Sequence, residues 1–272
     1  MGKLARLNRM RQERGVMPTL AYVKQAVLWE AQKLNPTFRR RLREDLEFDL
    51  RYGTDTGGTI YLDELHVSER DRVLGNRYEP AHAWVVRDFI EHLPVDLNKY
   101  AYVDLGSGKG RALLLAAAYP FARIVGVELA EELHAIAENN IGIYAAPEMR
   151  CRRIRSECMN ADRFVFPGEN LIVSVFNSFK AEVLRAVLDN LVLSLREAPR
   201  AAYFVYINPL HKEVIEASGL FEPIRVHQRY VSYAFCSPRL SALPQESLSM
   251  EQPPGERKEW GAEALQPAAQ NG

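Results

Sequence analysis

Three cysteines in 272 residues, Cys151, Cys158 and Cys236, are too few and too scattered for a disulfide framework or a C-x-x-C metal pair. A reducing, cytoplasmic compartment is therefore expected. No apolar run approaches the roughly 18 residues that read as a membrane span, so no membrane partner is expected. The first fifteen residues are basic and polar and lack the apolar centre of a secretory signal. Net charge is also missing: 35 Lys+Arg balance 35 Asp+Glu, which leaves no global attraction to nucleic acid or to a membrane surface. Two phosphate-binding signatures are absent too. Position 111 is arginine where G-x-G-x-x-G needs its last small residue. A P-loop would need a glycine five positions before Gly108 and a Ser or Thr after Lys109, and neither is there.

What remains is ordinary soluble material, 47% hydrophobic and 26% charged, with a distinctive centre. Tyr102-Val-Asp-Leu-Gly-Ser-Gly-Lys-Gly-Arg111 begins as a buried strand and ends in alternate glycines, and the apolar run 112–118 continues it as a helix. This is the strand–turn–helix unit that opens nucleotide-binding α/β folds. Glycine there serves a backbone at positive φ or a ligand lying against the main chain. A turn that merely lets strand and helix pack is the plain alternative.

Before this centre, residues 18–34 and 37–50 have helical spacing, with Pro36 ending the first helix and Thr37 capping the second. Residues 1–52 carry twelve Lys/Arg against six Asp/Glu, an excess of +6. The clusters Arg6/Arg9/Arg11/Arg14 and Arg39–Arg41/Arg43 supply most of it. They read as solvated helix faces first and as a nucleic-acid or acidic-partner arm second. Residues 49–58 are loop chemistry, either a turn or a mobile lid. Tyr78-Glu79-Pro80 introduces a helix over 81–92 with Trp84, Val85, Phe89 and Ile90 inward, and His82 and His92 at the surface.

After the glycines, strand and helix patterns alternate. Strands are expected at 123–128, within 151–159, at 171–176 and at 202–207, with helices at 131–140, 181–195 and 211–217. A closing pair, 221–227 and 230–236, is separated by Gln228-Arg229 and must be antiparallel. The expected fold is α/β: a seven-stranded, mostly parallel sheet with helices on both faces and strand seven reversed. The expected organisation is a helical cover and lid loop (1–58), a linker strand and helix (59–99), the α/β domain (100–237) and a disordered tail (238–272). Polar residues fall at the carboxyl ends of strands, where open α/β sheets bind ligands: Asp104, Glu128, Asn160/Asp162 and Asn177. Glu128 suits two vicinal hydroxyls of a ribose.

Asp104-Leu-Gly-Ser-Gly-Lys-Gly110, Val125-Gly-Val-Glu128 and Asn177-Ser-Phe179 together resemble the class I, seven-stranded S-adenosylmethionine-dependent methyltransferases over about residues 100–237. Tyr52-Gly-Thr-Asp-Thr-Gly57 and Tyr78-Glu-Pro80 extend the resemblance to a less characterised bacterial branch of that superfamily. The resemblance implies S-adenosyl-L-methionine as cofactor and no metal. It implies that Gly106, Ser107, Gly108 and Gly110 pass beside the methionine moiety and that Asp104 orients its ammonium group. Glu128 would hold the ribose and Leu129 would lie against adenine, with Asn160 or Asp162 at the adenine amino group. Asn177 stands where nitrogen-methylating relatives carry Asn-Pro-Pro-aromatic or Asn-Pro-Phe, but Ser178 replaces the proline. Ser178 also reads as the cap of helix 181–195. Tyr52, Tyr78, Phe179 and Tyr206 are candidate aromatic walls for a sulfonium, with Tyr78 and Asn177 the candidates nearest the chemistry. Lys109 reads as incidental and solvent-facing.

The acceptor is left open, with a protein lysine first, a small molecule close behind and nucleic acid third; the oligomeric state is not specified. An NAD(P)-dependent oxidoreductase and a non-catalytic module that binds a partner through the basic N-terminal helices are the rival readings.

Overall fold

The computed structural model describes residues 34–235. The expected helix 18–34 up to residue 33, the first arginine cluster, Cys236 and the tail lie outside them. Helix α1 (Pro36–Tyr52) opens with Asn35, not Thr37, as its cap: Asn35 Oδ1 accepts from the amides of Thr37 (2.8 Å) and Phe38 (3.4 Å). Pro36 thus begins this helix at a position whose missing N–H costs nothing. Next come a single antiparallel bridge, Ile60 to Tyr78, and the short helix α2 (Glu69–Leu74). Ser68 caps α2, and the S-x-x-D spacing of Ser68 and Asp71 is the signature from which it was readable. Helix α3 (Ala83–Glu91) starts two residues later than expected, with Pro80 ahead of it in the approach segment. His82 is half-buried rather than fully at the surface. Its Nδ1 lies 2.7 Å from the buried carboxylate of Asp45, which also takes the Ala83 amide.

The sheet consists of β1 (Tyr100–Leu105), β2 (Arg123–Glu128), β3 (Ile154–Cys158), β4 (Asn170–Phe176), β5 (Ala202–Ile207), β6 (Phe221–Val226) and β7 (Tyr230–Phe235). Their order is β3-β2-β1-β4-β5-β7-β6, with β7 antiparallel to both neighbours and every other pairing parallel. The connecting helices are α4 (Arg111–Ala116), α5 (Glu131–Ile143), α6 (Ala181–Glu197) and α7 (Lys212–Ala217). The architecture expected from the sequence is therefore the one observed.

Strand periodicity divides the core. Ala101, Val103 and Leu105 pack with Val173, Val175 and α6 on one face, whereas Tyr100, Tyr102 and Ile172 pack with α3 and α4 on the other. All six residues of β1 are buried, as a central parallel strand covered on both sides requires. Among the described residues no helix is long and apolar enough to cross a membrane.

This arrangement places the carboxyl ends of β1 through β5 at one edge of the sheet. Leu113 of α4 is fully buried and reaches both the Gly126 and the Gly110 backbone, joining the glycine turn to the sheet. Leu113→Ala should lower unfolding stability by about 2–5 kcal/mol, as deletion of a buried side chain that leaves a cavity does. Urea denaturation followed by circular dichroism measures the difference.

Candidate active site

The turn 106–110 has the backbone that its glycines allow. Gly106, Gly108 and Gly110 have φ of 75°, 55° and 85°. A Cβ on Gly106 would collide with Ser178, and one on Gly108 with the Tyr78 ring, so both positions are closed to side chains by sterics as well as by dihedral. The turn is tied to the end of β2: the amides of Gly106 and Ser107 donate to Val127 O (2.8 and 3.0 Å), and Gly108 N donates to Glu128 Oε2 at 2.8 Å. The other carboxylate oxygen of Glu128 accepts from Ala130 N at 2.9 Å. Burial raises the Glu128 pKa, and the backbone amides of Ala130, Gly108 and Leu129 oppose that rise.

Asp104, next to last in β1, is buried beside it. Ser174 of β4 is its register partner and donates to Asp104 Oδ1 at 2.6 Å; the Tyr102 hydroxyl lies 2.8 Å from the same Ser174 oxygen. Burial pushes the Asp104 pKa up to about 6; the Ser174 bond pulls it back and the charge of Glu128 pushes it further. Among the described residues no lysine, arginine or histidine forms an ion pair with either carboxylate. Two buried acids thus share one end of a cleft with no protein cation opposite them.

That cleft runs along the strand ends. Its lining brings together Asp104, Gly106, Ser107, Glu128, Leu129, Asn160 and Asp162 from the sequence-derived set. Both alternatives after β3 are therefore present. Asp162 Oδ1 is buried without a hydrogen-bond partner while Oδ2 lies 3.7 Å from Arg70; Ser107 Oγ is likewise buried and unpartnered. Among the described residues no group of three or more His, Cys, Asp or Glu is arranged to hold a metal.

Other sequence-derived residues lie elsewhere. Asn177, at φ 43°, is not part of the lining. Its side-chain oxygen accepts from the Tyr206 hydroxyl at 3.2 Å and its carbonyl from Asn76 Nδ2 at 2.7 Å, so it organises the turn after β4. Ser178 does not cap α6, whose cap residue is Lys180; its hydroxyl donates to Leu105 O at 3.1 Å. Of the aromatic candidates, Tyr78 and Phe179 line the cleft, joined by Phe176. Tyr206 is buried behind it, and Tyr52 bonds Glu148 at 2.6 Å. The Tyr78 hydroxyl donates to Thr56 O at 2.6 Å, and burial raises its pKa, so it is a phenol rather than a base at neutral pH.

The cover over the cleft was only half legible. Residues 70–81, including Arg70, Asp71, Arg77 and Glu79, form a roof. The amide of Asn76 donates to Ser178 O (2.9 Å) and that of Lys180 to Leu74 O (2.8 Å), fastening the roof to the turn after β4. Of the expected loop 49–58, the lid candidate, residues 49–52 complete α1 and residues 53–58 form a strap bonded to the glycine turn. Asn140, fully buried in α5, accepts from Asp55 N (2.8 Å) and donates to Asp55 O (2.8 Å) and Lys109 O (2.9 Å). Lys109 is not solvent-facing: it is 6% exposed, and its ammonium reaches Asp55 Oδ1 (2.7 Å) and Gly57 O (3.1 Å). Burial would raise the Asp49 pKa, but bonds from the Thr56 and Thr54 hydroxyls and the Thr56 amide, together with Arg111, hold it below its ordinary value.

No protein-family model matches the sequence, and no curated protein does. Several solved structures are similar in fold. A predicted N6-adenine-specific DNA methylase from Listeria monocytogenes is 12% identical with a TM-score of 0.44; the match covers 57% of this chain and 51% of that one, so this chain spans about half of its length. Geranyl diphosphate C-methyltransferase from Streptomyces coelicolor, bound to S-adenosyl-L-homocysteine, is 13% identical, with 57% and 77% covered and a TM-score of 0.41. A ribosomal protein L11 methylase from Lactobacillus delbrueckii is 15% identical, with 56% and 74% covered and a TM-score of 0.37.

The raised Asp104 pKa sets a stability prediction. Between its ordinary value of 3.8 and about 6 the folded state holds the proton more tightly than the unfolded chain. Stability from this group is therefore greatest below pH 3.8, declines as pH rises through that window and stays low above 6. Asp104→Asn keeps an acceptor for Ser174 and removes the buried charge. It should stabilise the ligand-free protein by roughly 1–3 kcal/mol at pH 8 and by little at pH 4, in urea titrations at both values.

Proposed function

We propose that the chain is an S-adenosyl-L-methionine-dependent methyltransferase acting on a nitrogen nucleophile, a protein lysine side chain before a small-molecule amine. The observation that carries the cofactor is the charge of the cleft. Its lining contains five carboxylates (Asp71, Glu79, Asp104, Glu128 and Asp162) and three arginines (Arg70, Arg77 and Arg111). Arg70 lies near Asp162, Arg77 binds Glu79 and Arg111 faces Asp49, which leaves three acids without a countercharge: Asp71, whose carboxylate accepts from the Ser68 hydroxyl, and the buried pair Asp104 and Glu128. Buried acids without a cation call for a cationic ligand. An ammonium and a sulfonium on one molecule meet that requirement; a dinucleotide pyrophosphate or a nucleic-acid backbone would add anions to it.

S-adenosyl-L-methionine supplies an electrophilic methyl group already activated on sulfur. The residues present fit its remaining groups. Asp104 would hold the ammonium, with Ser174 fixing the carboxylate. Glu128 spends one lone pair of each oxygen on Gly108 N and Ala130 N and keeps the others for ribose hydroxyls. The unpartnered Asp162 Oδ1 suits the adenine amino group better than Asn160 does, because a buried carboxylate oxygen gains most from a donor. Leu129 would lie against the adenine. Tyr78, Phe176 and Phe179 would present ring faces to a sulfonium or an amine. Catalysis would then rest on holding the nucleophile in line with the methyl group and excluding water. Desolvation in the cleft would help keep the amine neutral.

Isothermal titration tests the cofactor. S-adenosyl-L-homocysteine should bind, and micromolar binding of NADH alone would overturn the reading. Glu128→Ala should weaken S-adenosyl-L-homocysteine by about 1.5–3 kcal/mol through lost charged hydrogen bonds. Unchanged affinity would remove Glu128 from the ribose. The acceptor class is tested by transfer of labelled methyl from the cofactor into lysate separated into protein, RNA and small molecules, with label in acid-stable methyl-lysine as the expected result.

A further inference from the structure

Arg111 occupies the place where dinucleotide loops carry a small residue, yet it is only 4% exposed. A guanidinium is buried at low cost only when it is paired. Its Nε donates to Thr56 Oγ1 at 2.7 Å, its Nη2 lies 3.5 Å from Asp49 Oδ2, and its Cζ sits 5.0 Å from the centre of the Phe48 ring. All of these partners belong to α1 and the strap, none to the sheet. Thr56 is fully buried and passes the constraint on, because its carbonyl takes the Tyr78 hydroxyl. The Tyr78 ring in turn stands against Gly108, whose amide is bound by Glu128. A line of contacts therefore runs from Arg111 through Thr56 and Tyr78 back to the turn from which Arg111 itself departs.

Apolar packing would hold the strap on the turn at no cost in desolvation. A buried charged network contributes little net stability by comparison, and its best-attested use is to specify one arrangement. We infer that Arg111 is a positioning residue, setting the Tyr78 ring over the glycine turn through Thr56 and so shaping the cofactor end of the cleft. The identity of the ligand rests on the methyltransferase reading, whereas the line of contacts does not.

Four variants separate this role from plain support of the fold: Arg111→Met, Thr56→Val, Tyr78→Phe and the double variant Arg111→Met/Tyr78→Phe. In the ligand-free protein, hydrogen exchange at the amides of Thr56 and Gly108 should quicken about tenfold in each single variant while amides of β1 and β4 keep their rates. Unchanged exchange at Thr56 and Gly108 overturns the inference, as does quickening across the whole sheet. S-adenosyl-L-homocysteine should bind about five- to tenfold more weakly to each single variant, with the double variant no weaker than the worse of the two. Arg111→Lys should restore part of the loss. Additive losses would mean that Arg111 and Tyr78 act independently and would overturn the inference. If the unaltered protein fails to bind S-adenosyl-L-homocysteine, the preceding reading falls, and the exchange rates alone still decide the role of Arg111.

Discussion

The carboxylate of Glu128 joins the two halves of the candidate site. It ends β2, yet it receives the amide of Gly108 from the turn after β1 and that of Ala130 from the entry to α5. One buried side chain therefore sets the distance between a glycine turn and the neighbouring strand end. Because both amides occupy the flanks of the carboxylate, its remaining lone pairs are directed to whatever lies in the cleft. Removing it would leave buried amides unpaired as well as a ligand unheld, which is why such a residue cannot be replaced without consequences on both sides.

The electrostatic character of the cleft follows from the same position. Asp104 lies close enough to Glu128 to feel its charge, and among the described residues Ser174 is the only side chain that relieves it. Proteins commonly keep such destabilised arrangements where a ligand completes them. In the proposed function the ligand that completes them carries a positive charge. The same imbalance disfavours phosphate-bearing cofactors independently of any glycine pattern, and it agrees with the loss of the third small residue at position 111.

The cover is built from polar contacts, in contrast to the apolar packing of the sheet. Asn140 bonds both the amide and the carbonyl of Asp55, Lys109 reaches the same residue through its ammonium, and the roof is hydrogen-bonded to the turn after β4. Directional bonds of this kind hold a loop in one register without a large buried area. They also explain how a segment with many Gly, Thr and Asp residues is ordered at all, since it has little apolar surface with which to offset its conformational entropy.

How much of this was legible follows from the range of each interaction. The strands β2 and β5 were readable to the residue, because alternation, β-branched content and flanking turns are local properties. The short loop between β6 and β7 made their antiparallel pairing unavoidable. Misplaced caps at Thr37 and Ser178 have a local cause as well, since several short polar residues compete near each helix start and dihedral detail decides among them. Lys109 was misjudged for another reason. Lysine beside glycines reads as exposed, and only the strap, more than fifty residues earlier in the chain, supplies the carboxylate and carbonyl that bury it. Nor could the sequence show that Tyr206 and Asn76, distant along the chain, bond the two oxygens of Asn177. By itself the sequence determined the α/β fold and the strand-end acids, because periodicity and turn chemistry are carried by neighbouring residues. Which acids lack a countercharge, and what covers them, only the tertiary structure decided, because pairing and burial depend on segments that meet only once the chain is folded.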